Sequence, residues 1–190
     1  RCIDHNDAVL AYLDQADPMD VILFARWTYL AEGLGNFGDV PGRVPLILSD
    51  GSIAPENFHA FMAALEAALT QLTARHDVTV ILTLPKFDVS IPSAMLRNLR
   101  FGAQLPVLTL DQYNAREART NAAITALAEA YGAMVLAPHD QLCATGRCAI
   151  AQDGIPLYLD QVHLSPKGNE VLRDYLFESL DLTAGRTSSP

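Results

Sequence analysis

Short apolar runs alternate with longer stretches of helical spacing along this chain. Three largely apolar runs of strand length lie at residues 21–27, 78–84 and 133–136. Such runs are typical of strands buried on both faces of a sheet. Apolar residues at helical spacing predict helices that end near residue 15 and that span residues 55–72, 111–131 and 166–180. Short strands alternating with long helices predict an α/β fold, with a parallel sheet covered by helices on both sides.

Polar and special residues set the expected boundaries of these elements. Asp111 is a candidate N-cap for the helix that Gly132 would end, and Ser165 is a candidate N-cap for the last helix. Residues 91–101 suggest a loop with a short helix, and residues 33–42 a glycine-rich loop. The strands should pair in parallel in chain order, because crossovers through the intervening helices are right-handed.

Length and composition favour one packed domain. The chain has 190 residues, half of them hydrophobic, and we expect a single domain over residues 1–182 and a disordered polar tail over residues 183–190. A formal net charge of -9 argues against nucleic acid as a partner. No apolar run approaches the roughly 20 residues of a membrane span. The sequence begins with Arg1, so the absence of a signal peptide says nothing about secretion.

The cysteines carry a prediction about the compartment. Cys143 and Cys148 are separated by only four residues. They could be two buried thiols. They could also bind a metal, but a spacing of four residues is loose for a metal site and the sequence has no second pair of ligands. We favour a local disulfide, which implies an oxidising environment. Cys2 is left over at the start of the chain. We therefore expect no metal site. We also expect no cofactor, since the sequence contains no phosphate-binding glycine loop.

The strongest local signal for chemistry is Asp160 and His163, three residues apart and just ahead of the last helix. Asp160 could accept a hydrogen bond from one imidazole nitrogen and leave the other free to act as a base. The alternative is an Asp-His pair that only braces the start of the helix. The short spacing pattern does not decide between the two.

The whole segment from residue 157 to residue 168 is more specific than the pair. It resembles the last block of SGNH (GDSL-like) hydrolases, in which Asp-x-x-His supplies two members of a Ser-His-Asp triad. More narrowly, the chain resembles the extracytoplasmic SGNH domain fused to membrane acyltransferase family 3 proteins, from Cys2 to about residue 176. The stretches that support the narrower match are residues 21–27, 82–86, 88–92 and 156–158 and the loop with Cys143 and Cys148.

The resemblance implies a three-layer, flavodoxin-like sandwich in which Asp160 orients His163 as the catalytic base. It implies a periplasmic or extracytoplasmic domain, tethered by an N-terminal membrane acyltransferase domain. The partners would be an acyl donor and a cell-envelope glycan, and the group transferred would be acetyl. Arg26 and Trp27 lie at the end of the first apolar run, where they could line the acyl or oxyanion pocket. For Trp27 the alternative is core packing.

The sequence departs from the family at the nucleophile. The family places a serine in a Gly-Asp-Ser motif on its first strand, and this sequence has none; Ser49-Asp50-Gly51-Ser52 is interpreted as a turn. We therefore expect the first strand and its serine upstream of this chain, together with the disulfide partner that the resemblance implies for Cys2. The outer edge of the strand at residues 21–27 should then be unpaired or filled by another chain, and the 190 residues alone should be inactive.

Two other functions remain open at this point. One is a free-standing secreted carbohydrate esterase or deacetylase with the same triad. The other is a non-catalytic binding domain, preferred if no serine stands on the first strand.

Overall fold

The computed structural model of the chain describes residues 2–33 and 45–180. These residues belong to two compact units: Arg1–Thr83 with Glu117–Val135, and Leu84–Arg116 with Leu136–Pro190. The tail predicted at residues 183–190 and nearly all of the predicted glycine-rich loop lie outside the described residues. A single domain over residues 1–182 stays a prediction.

The first unit is a mixed α/β unit built on a parallel sheet. Its strands run in the order β1-β2-β3, and β1 pairs with β2 in parallel from Asp20↔Asp77 to Phe24↔Ile81. The α/β class and the predicted strand order are confirmed. The elements in chain order are α1 (Cys2–Gln15), β1 (Asp20–Phe24), α2 (Trp27–Glu32), α3 (Asn57–Thr73), β2 (Asp77–Ile81), α5 (Leu110–Ala130, from Glu117 onward in this unit) and β3 (Met134–Leu136, up to Val135 in this unit).

Strand β1 is the edge of this sheet among the described residues, as predicted for the run at residues 21–27. The prediction that this run is buried on both faces is wrong. Ile22 and Phe24, which share one face, are 48% and 54% exposed. An apolar run is buried on both faces only where neighbouring elements cover both, and here one face of the strand lies open. The run is also shorter than predicted, because Trp27 begins α2.

The periodicity of α3 accounts for the packing of the first unit. Phe61, Leu65, Leu69 and Leu72 recur on one helical face, and all four are buried. The helix packs against β2, α1 and α2. The predicted helix over residues 55–72 is therefore confirmed within two residues.

A capping box starts α5, not the predicted Asp111 cap. The Thr109 hydroxyl accepts a hydrogen bond from the backbone N–H of Gln112 (3.1 Å), and the Gln112 side chain accepts one from the backbone N–H of Thr109 (2.9 Å). Asp111 lies within the first turn, where its charge complements the helix dipole. The prediction missed by two residues because Asp and Thr are both good caps, and the reciprocal Gln112 decides between them.

The second unit is held together by a cluster of buried side chains. They include Phe87 and Tyr158, whose rings meet edge to face at 5.1 Å, both disulfide cysteines, and Ile91, Leu108, Tyr113, Leu142, Leu157 and Leu172. Its elements are α4 (Ile91–Phe101), the first turns of α5, α6 (His139–Leu142), β4 (Ala151–Gln152), β5 (Ile155–Pro156) and α7 (Pro166–Ser179).

Strands β4 and β5 form a small antiparallel hairpin that the sequence analysis did not predict. Its two turn residues, Asp153 and Gly154, have φ angles of +52° and +78°, as a type I′ turn requires. The Asp-Gly dipeptide was the available signal, but strands of two residues are too short to show alternation.

Helix α7 begins as predicted. The Ser165 hydroxyl accepts a hydrogen bond from the backbone N–H of Gly168 (3.1 Å), and Pro166 occupies the first turn. The first turn lies directly against the chain that follows β5. A Cβ atom added to Gly168 would lie 2.1 Å from the Leu157 carbonyl oxygen and 2.9 Å from a Leu164 methyl carbon. Position 168 therefore admits only glycine at this spacing.

The predicted disulfide joins Cys143 and Cys148, and both residues are buried. Its loop is bonded to the chain before α5, because Cys148 N–H donates to the Leu108 carbonyl (2.8 Å) and Leu110 N–H donates to the Gly146 carbonyl (3.0 Å). The disulfide thus fixes a loop that positions the start of α5.

Gly168→Ala should destabilise the chain, although alanine is the better helix former by about 1 kcal/mol. The added methyl group must displace α7 from Leu157, and overpacking of this kind costs about 1–3 kcal/mol. Urea unfolding followed by circular dichroism measures the change. Asn169→Ala, at the exposed next position, is the control and should change the free energy of unfolding by less than about 0.5 kcal/mol. A stabilised Gly168→Ala variant would contradict the close approach.

Removing the disulfide with the double variant Cys143→Ala/Cys148→Ala should lower the free energy of unfolding by about 2 kcal/mol, since so short a ring removes little entropy from the unfolded chain. Urea unfolding of the wild-type chain with and without a phosphine reductant should show a loss of similar size. Cys2→Ser, which leaves the Cys143–Cys148 bond intact, is the control. Equal stability of the oxidised and reduced chains would refute a stabilising role.

Candidate functional site

Asp160 and His163 lie in the loop between β5 and α7, in the second unit. Their side chains are in direct contact: His163 Nδ1 lies 2.6 Å from Asp160 Oδ2. The other carboxylate oxygen, Oδ1, accepts hydrogen bonds from the backbone N–H groups of Val162 (2.7 Å) and His163 (2.8 Å). The carboxylate is therefore held at three points by the tight turn that the Asp-x-x-His spacing makes.

Backbone hydrogen bonds close this loop on itself. Leu159 N–H donates to the His163 carbonyl (2.8 Å), and Ser165 N–H donates to the Leu157 carbonyl (2.9 Å). Tyr158 and Leu164 form an isolated antiparallel bridge between these two bonds. The loop is a short hairpin whose tip carries the Asp-His pair, and the capped start of α7 anchors its second arm.

The segment before α4 holds the tip of the loop from outside. Ile91 N–H donates to the Asp160 carbonyl (3.1 Å), and Phe87 N–H donates to the Gln161 carbonyl (2.9 Å). In the sequence, residues 82–86 and 88–92 stand out only by their resemblance to a family. The structure gives the second stretch a local role, since Ile91 binds the backbone of Asp160 itself.

Hydrogen bonding sets the charge state of the pair. Partial burial raises the pKa of Asp160, but the hydrogen bonds from the His163 ring and from the backbone N–H groups of His163 and Val162 outweigh it and lower the pKa from 3.8 to about 2. At neutral pH the carboxylate is ionised and can only accept hydrogen bonds. The proton between the two side chains must therefore be on His163 Nδ1, which leaves Nε2 of a neutral ring as an acceptor.

The free edge of the imidazole faces solvent. The His163 side chain is 71% exposed, and its ring hydrogen-bonds only to Asp160 among the described residues. The Ser165 hydroxyl, two residues away, donates to the Pro156 carbonyl (2.7 Å) while it caps α7. The prediction that Ser165 is a helix cap is thus confirmed. Chemically, the pair can take a proton from a hydroxyl group that approaches Nε2.

Arg26 and Trp27 belong to the first unit. The Trp27 indole N–H donates to the Ile81 carbonyl (2.7 Å), its ring lies 6.1 Å from the Phe61 ring, and the residue is buried. The Arg26 guanidinium lies over the Tyr29 ring at 4.6 Å. These contacts make Trp27 an anchor for α2 on β2, which is the core-packing alternative. A role for either residue in a substrate pocket stays a prediction.

The donors that orient Asp160 were missed by the sequence analysis. Four of the groups that bind the loop tip are backbone N–H groups: those of Val162, His163, Ile91 and Phe87. Because every residue except proline has such a group, no residue type in the sequence indicates where these donors lie.

None of the helices among the described residues combines the length and the apolar character that a membrane span requires.

Comparison with solved structures finds the same fold in a periplasmic domain. The match is titled "Structure of Salmonella ser. Paratyphi A lipopolysaccharide acetyltransferase periplasmic domain", with a TM-score of 0.62 and 12% sequence identity. The alignment covers 93% of this chain and 62% of that chain, so this sequence spans less than two thirds of its structural relative. No curated protein sequence matches this chain.

A family model matches nearly the whole sequence. It is described as "SGNH domain (fused to AT3 domains)", and it matches residues 1–177. The match includes every element of both units up to the last turn of α7, and it bears out the resemblance expected from the sequence. The chain therefore belongs to the family of SGNH domains that are fused to AT3 domains.

Proposed function

We propose that His163 is the base of a Ser-His-Asp triad and that Asp160 is the carboxylate that orients it, in the SGNH domain of a membrane-associated O-acyltransferase. The observation that carries the proposal is the 2.6 Å contact between His163 Nδ1 and an Asp160 carboxylate whose other oxygen is held by two backbone donors. A pair that only braced a helix would not need an exposed imidazole edge. The helix itself is capped by Ser165.

The proposed reaction has two acyl transfers. His163 Nε2 takes the proton from a serine hydroxyl while the serine oxygen attacks the acyl carbon of the donor. The bond between the acyl carbon and the donor's leaving group breaks, the leaving group takes the proton from His163, and an acyl-serine remains. An acceptor hydroxyl then gives its proton to Nε2 as it attacks the acyl-serine, and the serine oxygen recovers that proton. Asp160 stabilises the imidazolium at both stages.

The nucleophile in this proposal is a serine outside these 190 residues. The sequence contains no Gly-Asp-Ser, and among the described residues no serine hydroxyl hydrogen-bonds the His163 ring. Ser165, the closest in sequence, has its hydroxyl engaged at the helix start.

The chemistry of the pair and the structural relative together support a proposal for the substrates. A base with one open edge suits transfer to a hydroxyl, and the structural relative is named as a lipopolysaccharide acetyltransferase periplasmic domain. We propose an acetyl donor delivered by an N-terminal membrane acyltransferase domain and a cell-envelope glycan as acceptor, on the periplasmic side. Arg26 and Trp27 remain candidates for the pocket of this reaction.

Labelling by a fluorophosphonate, which reacts with activated serines, tests the triad. The 190-residue chain alone should not be labelled and should not hydrolyse a simple acetyl ester above background. Protein that also carries the upstream Gly-Asp-Ser segment should be labelled on that serine. In that longer protein, His163→Ala and Asp160→Asn should each slow labelling and acetyl transfer by about 1,000-fold or more, as loss of a triad member does.

The matched control is His59→Ala, which removes an exposed histidine paired with Glu56 and should leave both rates unchanged. Hydrolysis by the 190 residues alone that is lost in His163→Ala would show that the nucleophile has been misassigned. Full activity of His163→Ala in the longer protein would refute the triad. If the longer protein releases free acetate and does not transfer the acetyl group to an added glycan acceptor, the esterase alternative would be favoured.

Acid titration of the Asp160 side-chain carbon by NMR should give a midpoint near pH 2. The carboxylate is favoured by folding because its pKa lies below the ordinary 3.8. Its contribution to stability is therefore complete above pH 3.8 and is lost as the pH falls from 3.8 through about 2. His163→Ala removes the largest lowering contribution and should raise the midpoint toward 3.8, whereas His59→Ala should leave it in place. An unchanged midpoint in His163→Ala would mean that the two side chains are not paired in solution.

A further inference from the structure

Helix α4 turns large apolar side chains toward solvent. Its buried side carries Ile91 and Ala94, which face the core of the second unit. On its outer side Leu96, Leu99 and Phe101 are 51%, 81% and 78% exposed. Burying even one leucine side chain is worth about 1.5–3 kcal/mol, so a folded chain gains nothing by leaving three such residues in water.

The exposed arc of α4 also carries two arginines, which lie between the leucines and Phe101 around the helix. Arg97 and Arg100 are exposed and form no ion pair within the described residues. We call Leu96, Arg97, Leu99, Arg100 and Phe101 together the α4 surface. On a helical projection the arginines lie at the centre of the exposed arc, with the leucines on one side and Phe101 on the other.

The local charge is opposite to that of the chain. Residues 89–110 contain Arg97 and Arg100 and none of the chain's 22 acidic residues, whereas the whole chain has a formal net charge of -9. A negatively charged surface would attract the α4 surface and repel the rest of the molecule. The positive charge of the α4 surface therefore favours an acidic partner over a basic one.

We propose that the α4 surface binds the surface of a lipid bilayer that contains anionic headgroups. The arginines at the centre of the exposed arc pair with lipid phosphates, while the leucine and phenylalanine side chains at its edges contact the boundary between headgroups and acyl chains. An acidic protein would match the charges equally well. A bilayer also accounts for the three bulky apolar residues that flank the arginines.

The α4 surface is coupled to the Asp160 loop through one hydrogen bond. Ile91, the first residue of α4, donates its N–H to the Asp160 carbonyl (3.1 Å). Membrane contact at α4 would hold the Asp-His pair close to the bilayer, where the proposed function needs an acyl group delivered by a membrane domain. The binding itself does not depend on the proposed catalytic function, so either can fail without the other.

Cosedimentation with vesicles tests the proposal on the 190-residue chain. We expect binding to vesicles of phosphatidylglycerol and phosphatidylcholine in equal parts, and much weaker binding to phosphatidylcholine alone. Arg97→Gln/Arg100→Gln should weaken binding to the anionic vesicles by about 30-fold, the effect of two arginines near such a surface. Leu99→Ser/Phe101→Ser should weaken it at least as much. Binding should also fall as salt rises, because salt screens the arginines.

The matched control is Arg75→Gln/Arg173→Gln, which removes two exposed positive charges elsewhere and should bind like the wild type. Circular dichroism of each variant checks the fold, which these exposed positions should not alter. No binding by the wild-type chain, equal binding to both lipid compositions, or equal weakening by the control variant would overturn the proposal. Self-association that Leu99→Ser/Phe101→Ser abolishes, without vesicle binding, would identify a second copy as the partner and also overturn it.

Discussion

The close approach of α7 to the Leu157 backbone is the constraint on which the candidate site depends. It exists because Gly168 has no side chain where a Cβ would lie 2.1 Å from the Leu157 carbonyl oxygen. With the helix at this distance, Ser165 can cap its first turn and donate its own N–H to that same carbonyl. The two arms of the loop then run close enough for Leu159 to bind the His163 carbonyl. The Asp-His contact at the tip follows from this closure.

Hydrogen bonds, and not burial, determine the charge state of Asp160 at the loop tip. Partial burial alone would raise the pKa of Asp160, yet its three hydrogen bonds lower it to about 2. The carboxylate therefore stays ionised at any physiological pH and fixes the tautomer of His163. Because the imidazole is largely exposed, orientation and charge are set by this chain, whereas a shaped pocket around Nε2 would need further groups. This division is consistent with the proposed triad, in which the serine and the acyl donor would come from other sequence.

One short segment of the second unit, at the start of α4, is adjacent to both the Asp160 loop and the α4 surface. The chain before and at the start of α4 binds the backbone of Gln161 and Asp160, and the outer side of the same helix presents the α4 surface. Rigid packing of Ile91 and Phe87 in the core means that both sites are held by the same buried residues. Substitutions in this core would disturb them together, whereas the exposed α4 positions can be changed separately.

Local sequence was sufficient wherever the determining interaction is short in range or repeats periodically. It predicted the parallel order of the three strands, the helix at α3, the Ser165 cap, the Cys143–Cys148 disulfide and the pairing of Asp160 with His163, since each depends on residues that are close in sequence or on regular apolar spacing. It failed at β1, where burial depends on what covers Ile22 and Phe24, and at the start of α5, where two good caps compete.

Only the tertiary structure decided why position 168 must be glycine, that Ile91 and Phe87 bind the loop tip, and that Leu99 and Phe101 of an amphipathic helix face water. Backbone donors and carbonyls are the same in almost every residue, and exposure is a property of neighbours. A single sequence therefore indicates neither which backbone groups will bind the loop tip nor which apolar side chains will be exposed.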